Sequence, residues 1–148
     1  MNDFCIADIL TRVSQIADFG LSRVVTVLTS ESSVLHTALG RTAAWAAPEV
    51  FEEEKSSRAS DVYSFAIVYW EVLTLEVPWR GKRGHAIMHS VCIKNERPQL
   101  PPDTPAKIKK IITKCWSKER KKRPTFEEVE KQLAMPDAGW GWLSWLLR

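Results

Sequence analysis

The chain has 148 residues, of which 45% are hydrophobic and 26% charged, and its formal net charge is +3. This composition is typical of one globular domain, and the charge is too small to indicate a nucleic-acid partner. The three cysteines form no CxxC pair, and the first residues carry no basic cluster. We therefore expect a reduced, soluble, cytoplasmic protein with no signal peptide. The longest apolar stretch, residues 62–75, is interrupted by polar side chains and falls short of the ~20 residues that span a bilayer.

The first half of the chain predicts one strand, one loop and two helices. Residues 13–16 form a short apolar strand, and residues 24–42 form a loop rich in serine and threonine without any period. Pro48 is suited to the first turn of a short helix. Ser60 is a good N-cap for a helix over residues 61–75, which Pro78 would end. That helix is apolar on nearly every face, as is typical of the buried axis of a domain.

The second half predicts three more helices. One covers residues 84–94, and the prolines that follow it favour an extended link. Thr104 is the predicted N-cap of the next helix, with Pro105 at its first position. An apolar stripe at i, i+3, i+4, i+7 and i+8 makes that helix amphipathic (Ile108, Ile111, Ile112, Cys115, Trp116). Thr125 and Glu128 form a capping box for the last helix, so the predicted fold is mainly α.

Several motifs occur in a fixed order along these elements. The first is Asp18-Phe19-Gly20, and a loop then leads to Thr42-Ala43-Ala44-Trp45-Ala46-Ala47-Pro48-Glu49. The central helix contributes Ser60-Asp61-Val62-Tyr63-Ser64-Phe65 and Trp70-Glu71, and the last helices contribute Cys115-Trp116 and Arg123-Pro124-Thr125-Phe126. Together they resemble the C-terminal lobe of protein kinases, in the tyrosine-kinase-like branch.

The resemblance covers residues 13–134 as a partial kinase domain. It implies a helical lobe with little or no β-sheet and with the N-terminal lobe absent. Residues 1–12 would then be a remnant that precedes the metal-binding loop, and residues 135–148 a tryptophan-rich tail outside the resemblance. Asp8-Ile9-Leu10 is a faint echo of the family's catalytic loop, at the wrong spacing, and leaves a role for Asp8 open.

The resemblance implies that Asp18 holds the Mg²⁺ that bridges the phosphates of ATP. The alternative is an aspartate that only shapes a turn. Phe19 would pack inward and set the position of the loop, although an ordinary core phenylalanine fits the sequence equally well. Gly20 would supply backbone freedom for the turn.

The loop after Asp18 resembles a kinase activation segment. Its final part includes Thr42, Ala47, Pro48 and Glu49, and Thr42 favours serine/threonine specificity and would line the site of the protein substrate. Five hydroxyl residues of the loop are candidate phosphosites, since a phosphate can order such a loop by pairing with arginine (Thr29, Ser30, Ser32, Ser33, Thr37). For each of them, an unmodified polar loop residue is the alternative.

By resemblance, Glu49 and Arg123 form an ion pair that ties the end of the activation segment to the loop before the last helix. This role is structural, and a guanidinium suits a bidentate carboxylate contact. Asp61 and Trp70 belong to the central helix. In the family the aspartate caps the catalytic loop, but no such loop is recognisable in this sequence. The alternative role of Asp61 is that of a charge at a helix N-terminus only.

The sequence contains no Gly-rich loop, no strand lysine and no His-Arg-Asp triplet to supply the catalytic base. Because kinase catalysis uses parts of both lobes, we expect this chain to be inactive alone and its ATP binding to be doubtful. Its parent would phosphorylate serine and threonine hydroxyls of proteins. The alternative is a truncated pseudokinase that binds a partner kinase or a substrate protein.

Two further features lie partly or wholly outside these motifs. The basic run over residues 107–123 is either a solvated helix face, which we favour, or a contact for acidic partners. The tail carries Trp140, Trp142 and Trp145. It could contact a membrane interface or a partner's groove, fold back onto the lobe, or be an artefactual terminus. The sequence does not fix the oligomeric state.

Overall fold

A computed structural model describes residues 6–8, 13–15, 43–53 and 56–133 of the chain. The chain divides into two units, residues 1–30 and residues 31–148. In the first unit, strand β1 (Ile6–Asp8) pairs antiparallel with strand β2 (Val13–Gln15), and Ile6 lies opposite Gln15. The strand predicted at residues 13–16 is confirmed. The sequence does not predict β1, because three residues carry too little alternation for its period to be recognised.

The described part of the second unit contains five α-helices, as predicted. They are α1 (Pro48–Glu53), α2 (Arg58–Thr74), α3 (Gly84–Met88), α4 (Ala106–Cys115) and α5 (Phe126–Leu133). Short 3₁₀ turns cover Ala43–Trp45 and Arg120–Lys122, and a π-helical segment, His89–Ile93, continues α3. The predicted mainly helical fold with little β-sheet is confirmed.

The predicted start of α2 is wrong by three residues, whereas its predicted end near residue 75 is confirmed. The N-cap is Ser57, whose hydroxyl accepts a hydrogen bond from the Ser60 N–H at 3.2 Å, while the Ser60 hydroxyl accepts one from the Ser57 N–H at 2.7 Å. Two serines three residues apart thus form a capping box, and Ser60 lies inside the helix rather than before it. The helix ends before Pro78, because Leu75 takes a left-handed conformation (φ 54°) and donates its N–H to the Glu71 carbonyl.

The predicted cap of α4 is also wrong, whereas the capping box of α5 is confirmed. Pro105 is the N-cap of α4, and its carbonyl accepts the first helical hydrogen bond from Lys109 at 2.9 Å. The Thr104 hydroxyl is buried and has no hydrogen-bond partner among the described residues. At α5, the Glu128 carboxylate accepts from the Thr125 N–H at 2.9 Å, and the Thr125 hydroxyl accepts from the Glu128 N–H at 3.3 Å.

The core of the second unit forms around α2, which packs against α4. The buried apolar side chains come from all five helices and from the short segments next to them (Ala43, Ala47, Val50, Val62, Tyr63, Ala66, Ile67, Trp70, Ile87, Val91, Cys92, Ile111, Ile112, Cys115, Trp116, Val129). Each large aliphatic side chain buried in this way contributes about 1.5–3 kcal/mol. The expectation that α2 is buried on all sides is wrong, because Val68 and Val72, one turn apart, are 41% and 50% exposed.

Candidate functional site

The candidate site is the segment over residues 43–49, which runs from a 3₁₀ turn into the first turn of α1. Two side chains of α2 fix its backbone and its tryptophan. The Ser64 hydroxyl donates to the Trp45 carbonyl at 2.9 Å, and the Trp45 indole N–H donates to the Glu71 carboxylate at 3.1 Å. Ala47 is fully buried. The segment therefore lies on α2 in a defined conformation.

The same segment also lies beside the start of α3. A Cβ atom built on Gly84, the first residue of α3, would lie 3.6 Å from the Cβ of Ala43. Such a Cβ would be in ordinary van der Waals contact with the Ala43 side chain. The turn of residues 43–45 is thus positioned by two helices rather than one.

An ion pair fixes the other end of the segment. Arg123 donates from Nη1 and Nη2 to the two carboxylate oxygens of Glu49, at 2.6 and 2.8 Å, across 74 positions of sequence. The two side chains are 0% and 7% exposed. This geometry is bidentate, the arrangement in which a planar guanidinium binds a carboxylate most strongly.

Further hydrogen bonds satisfy the rest of the guanidinium. Arg123 Nε donates to the Ser117 carbonyl at 2.8 Å, and Nη1 also donates to the Ala59 carbonyl at 2.9 Å. Arg123 therefore joins three parts of the chain: the start of α1, through the Glu49 side chain, and the backbone of the first turn of α2 and of the loop after α4. Burial raises the pKa of the Glu49 carboxyl, but the hydrogen bonds and the positive charge of Arg123 outweigh this effect and hold the pKa below its usual value.

A tyrosine lies against this ion pair. Tyr63 is 0% exposed, and the guanidinium carbons of Arg123 and Arg97 each lie 5.2 Å from the centroid of its ring. Arg97 is itself held by the Trp116 carbonyl, which accepts from its Nε at 2.8 Å. Burial raises the pKa of Tyr63 to about 12, so the phenol stays neutral beside two cations.

Two predicted members of the central helix are placed by the structure. Trp70 is buried, and its indole N–H donates to the Gln99 carbonyl at 2.8 Å, which joins α2 to the extended link before α4. Asp61 lies in the first turn of α2 with its side chain open to solvent. No described residue hydrogen-bonds to its carboxylate.

The remaining predicted site residues lie outside the described residues. They are the proposed metal-binding triplet, the threonine before the 3₁₀ turn and the candidate phosphosites (Asp18, Phe19, Gly20, Thr42, Thr29, Ser30, Ser32, Ser33, Thr37). Their roles stay predictions. Within the part of the chain that the structure describes, no group of three histidine, cysteine or acidic side chains could hold a metal ion.

Three residues of the site were given no role by the sequence argument. Tyr63 and Ser64 belong to the central-helix motif. The spacing of residues in that motif does not indicate that Tyr63 contacts Arg123 or that Ser64 contacts Trp45. Arg97 follows Glu96 and precedes a proline in a polar stretch, and a single arginine in such a stretch carries no signal of burial. The contact between Trp45 and Glu71 is likewise formed only by folding.

The family model for protein tyrosine and serine/threonine kinases matches residues 3–133. The chain belongs to this protein kinase family. Members of the family use ATP with Mg²⁺ to phosphorylate protein hydroxyls. The segment over residues 43–49 lies within the matched region, and residues 134–148 lie beyond it.

Curated relatives are serine/threonine and dual-specificity kinases. The chain is 39% identical over 119 residues to the probable serine/threonine-protein kinase drkC of Dictyostelium discoideum, a match that covers 80% of this chain and 16% of that kinase. It is 40% identical over 119 residues to the dual specificity protein kinase shkC of the same organism (78% of this chain, 22% of that kinase). The serine/threonine-protein kinase STY17 of Arabidopsis thaliana is 38% identical over 121 residues (82% and 20%). The chain thus spans about a fifth of the length of these relatives.

Among the described helices, none is both long enough and apolar enough to cross a bilayer.

Proposed function

We propose that this chain is the substrate-docking half of a serine/threonine protein kinase domain. Its parent transfers the γ-phosphate of MgATP to serine and threonine hydroxyls of proteins. The observation that carries the proposal is the bidentate Glu49–Arg123 pair, which holds residues 43–49 against the helical lobe. A kinase must present its substrate hydroxyl in a fixed position, because phosphoryl transfer depends on positioning and charge neutralisation more than on covalent chemistry.

The residues of the site have two proposed roles: some hold the segment in place, and others contact the substrate or the metal ion. Ser64 and Glu71 hold Trp45, and Arg123 holds Glu49, so the segment between them keeps one shape when a substrate protein binds beside it. Thr42, next to this segment, would line the substrate site, and Asp18 would hold Mg²⁺. The chain itself supplies no recognisable catalytic base, so its part in the reaction is docking and metal binding.

The exposed face of α2 supports the view that more of the domain normally covers this lobe. Val68 and Val72 are 41% and 50% exposed on the longest described helix. Apolar side chains at one-turn spacing on a central helix are usually packed against another element. We propose that a further part of the same kinase domain covers them.

Assays of the purified 148-residue chain with Mg²⁺, labelled ATP and a mixture of protein substrates test this proposal. We expect only background transfer, the same for the wild-type chain and for Asp18→Ala, because the catalytic base and the lysine that contacts the phosphates are not in this sequence. Robust transfer that Asp18→Ala abolishes would contradict the proposed division of labour.

The second candidate function is a pseudokinase that binds a partner kinase or substrate protein. The defined docking segment favours it as well, since a fixed surface suits either role. The two candidates differ at the exposed face of α2. If this face lacks its normal cover, Val68→Glu with Val72→Glu should reduce self-association of the chain, whereas Ile93→Glu, at another exposed apolar residue (72% exposed), should not. A wild-type chain that is monomeric and stable without these changes would favour the pseudokinase.

A further inference from the structure

The loop that leads into α3 is basic. Between Val77 and Asn95 the sequence contains arginine, lysine and histidine, but neither aspartate nor glutamate. The arginines and the lysine that precede α3 are Arg80, Lys82 and Arg83, and all three are exposed. Because basic stretches at a protein surface are usually only solvated, this charge does not identify a partner by itself.

The backbone of this loop has a defined conformation. The Lys82 N–H donates to the Trp79 carbonyl at 2.9 Å, and Gly81 takes a φ of 80°, which glycine adopts without strain. The Lys82 ammonium donates to the Ser90 hydroxyl at 2.9 Å and pairs with Glu96 at 3.3 Å. It also lies 4.9 Å from the centroid of the Trp79 ring. Lys82 therefore anchors the loop to the π-helical segment and to the residues after it.

The two arginines of the loop are not engaged in this way. Neither Arg80 nor Arg83 makes an ion pair or a side-chain hydrogen bond with any residue that the structure describes. A guanidinium carries five N–H donors and binds a carboxylate through two parallel hydrogen bonds. Two such groups on a fixed loop are therefore available to acidic side chains of another protein.

Both arginines lie close to the start of the candidate docking segment (residues 43–49). Helix α3 packs against the 3₁₀ turn at that start, and Gly84 is the residue of α3 that approaches Ala43. Arg83 immediately precedes Gly84, and consecutive Cα atoms are only about 3.8 Å apart. Arg80 lies three residues earlier, in the anchored loop. A protein that binds along the docking segment therefore comes close to both arginines.

The acidic side chains of the docking segment and its surroundings do not neutralise these two charges. Glu49 is buried and binds Arg123. Glu71 is half-buried and accepts a hydrogen bond from the Trp45 indole at 3.1 Å. Glu52 is exposed, but it lies on α1, beyond the end of the segment. Exposed positive charge therefore remains beside the start of the segment.

We propose that Arg80 and Arg83 select protein substrates that carry acidic residues close to the serine or threonine to be phosphorylated. The inference rests on the proposed function, because it takes residues 43–49 as the docking segment. Single exposed ion pairs contribute little, so the two arginines favour acidic segments without binding them tightly. Charges beside a docking surface also attract partners of opposite charge and disfavour those of like charge. The substrate class is thus an acidic segment that contains serine or threonine.

Nuclear magnetic resonance titrations of the ¹⁵N-labelled 148-residue chain test this inference without phosphoryl transfer and detect weak binding. Three peptides of equal length carry one serine with two glutamates, two glutamines or two lysines on each side. We expect the glutamate peptide to bind about fivefold to tenfold more tightly than the glutamine peptide at low salt, and the lysine peptide to bind most weakly. This preference should shrink at about 0.5 M salt. The amide signals that shift should belong to residues 43–49 and 80–85.

A double variant tests the role of the arginines. Arg80→Gln with Arg83→Gln should bring the affinities of the glutamate and glutamine peptides to within about twofold of each other. The matched control is Lys107→Gln with Lys110→Gln, which removes the same charge from exposed positions of α4 and should retain the preference. The amide spectrum shows whether each variant folds. If the arginine double variant does not, Arg83→Gln alone replaces it and should reduce the preference by about twofold to threefold.

The outcomes separate this inference from the proposed function. Equal binding of the three peptides by the wild-type chain would overturn the inference and leave the docking segment in place. An equal loss of preference in the lysine control would also overturn it, because net charge would then be responsible. Signals that shift only outside residues 43–49 and 80–85 would place the acidic contact elsewhere and overturn it as well. Binding of none of the peptides would contradict both the inference and the proposed docking function.

Discussion

Two ion pairs, Glu49–Arg123 and Glu119–Lys122, use adjacent basic residues of one loop. Each joins opposite charges at 2.6 Å, but the two pairs differ in their surroundings. The side chains of the first pair are 0% and 7% exposed, whereas both side chains of the second are 65% exposed. The first pair joins residues 74 positions apart, and the second joins residues three apart. Equal distance therefore does not mean equal contribution to stability.

The difference follows from what each charge would meet if its partner were removed. A single exposed charge is solvated by water, so the surface pair contributes little. A buried charge without its partner has no such solvation, so it strongly destabilises the folded chain. The buried pair also holds the candidate docking segment, so its loss should change function as well as stability.

The largest expected effect is that of Arg123→Gln. It leaves the Glu49 carboxylate buried without its cation and should lower the free energy of unfolding by about 3–5 kcal/mol, measured by urea denaturation. Glu49→Leu combined with Arg123→Met is the control, because it removes both charges and should cost less than Arg123→Gln alone. If the double variant were as unstable as the single one, lost packing rather than an unpaired charge would explain the result.

Acid should break the buried pair without any mutation. The pKa of Glu49 is lower in the folded chain than its ordinary value of 4.5, so the pair's contribution is complete above about that pH and is lost as the pH falls through the folded-state pKa. Unfolding free energies measured across this range should fall more steeply for the wild type than for Glu49→Gln. Equal slopes for the two proteins would show that other carboxyls control acid stability.

Substitutions of Tyr63 separate its ring from its hydroxyl. The ring lies between two guanidinium groups, so Tyr63→Leu should cost about 1–3 kcal/mol. The buried hydroxyl has no hydrogen-bond partner in the part of the chain that the structure describes, so Tyr63→Phe should change stability by less than about 0.5 kcal/mol. Thermal unfolding measures both variants, and a large loss for the phenylalanine variant would point to an ordered water or another partner at the hydroxyl.

The smallest expected effect is that of Lys122→Ala. Because the Lys122–Glu119 pair is exposed, its removal should lower the unfolding free energy by no more than about 0.5 kcal/mol, measured under the same conditions as Arg123→Gln. A loss of unfolding free energy as large as that of Arg123→Gln would show that burial does not set the contributions of the two pairs apart.

The helical order of the lobe could be predicted from sequence because its signals are local. Prolines, a capping box and an apolar stripe each act within a few residues, and they predict the existence of all five helices. Helix ends were less predictable where two candidates competed. Ser57 and Ser60 both suit a cap, and only folding shows that they bond to each other. Thr104 has the right side chain, but its buried hydroxyl makes no hydrogen bond to any described residue.

Contacts between distant residues were predictable only through the family resemblance. The pairing of Glu49 with Arg123 follows from matched motifs, and nothing in the local sequence indicates it. The position of Tyr63 between Arg97 and Arg123, and the hydrogen bond from Trp45 to Glu71, could not be predicted, because they depend on how α2 packs against the loops around it. Exposure of Val68 and Val72 was also missed, since apolar composition alone does not show what covers a helix.

Phosphoryl transfer by a chimera is the most direct test of the account. The kinase-domain sequence that precedes the matched part of drkC is joined before residue 3 of this chain, and Mg²⁺-dependent transfer of labelled phosphate to protein serine and threonine is measured. The account predicts transfer that Asp18→Ala abolishes and that Asp137→Ala, outside the matched region, leaves intact. A folded chimera with no transfer, or with transfer that survives Asp18→Ala, would contradict it.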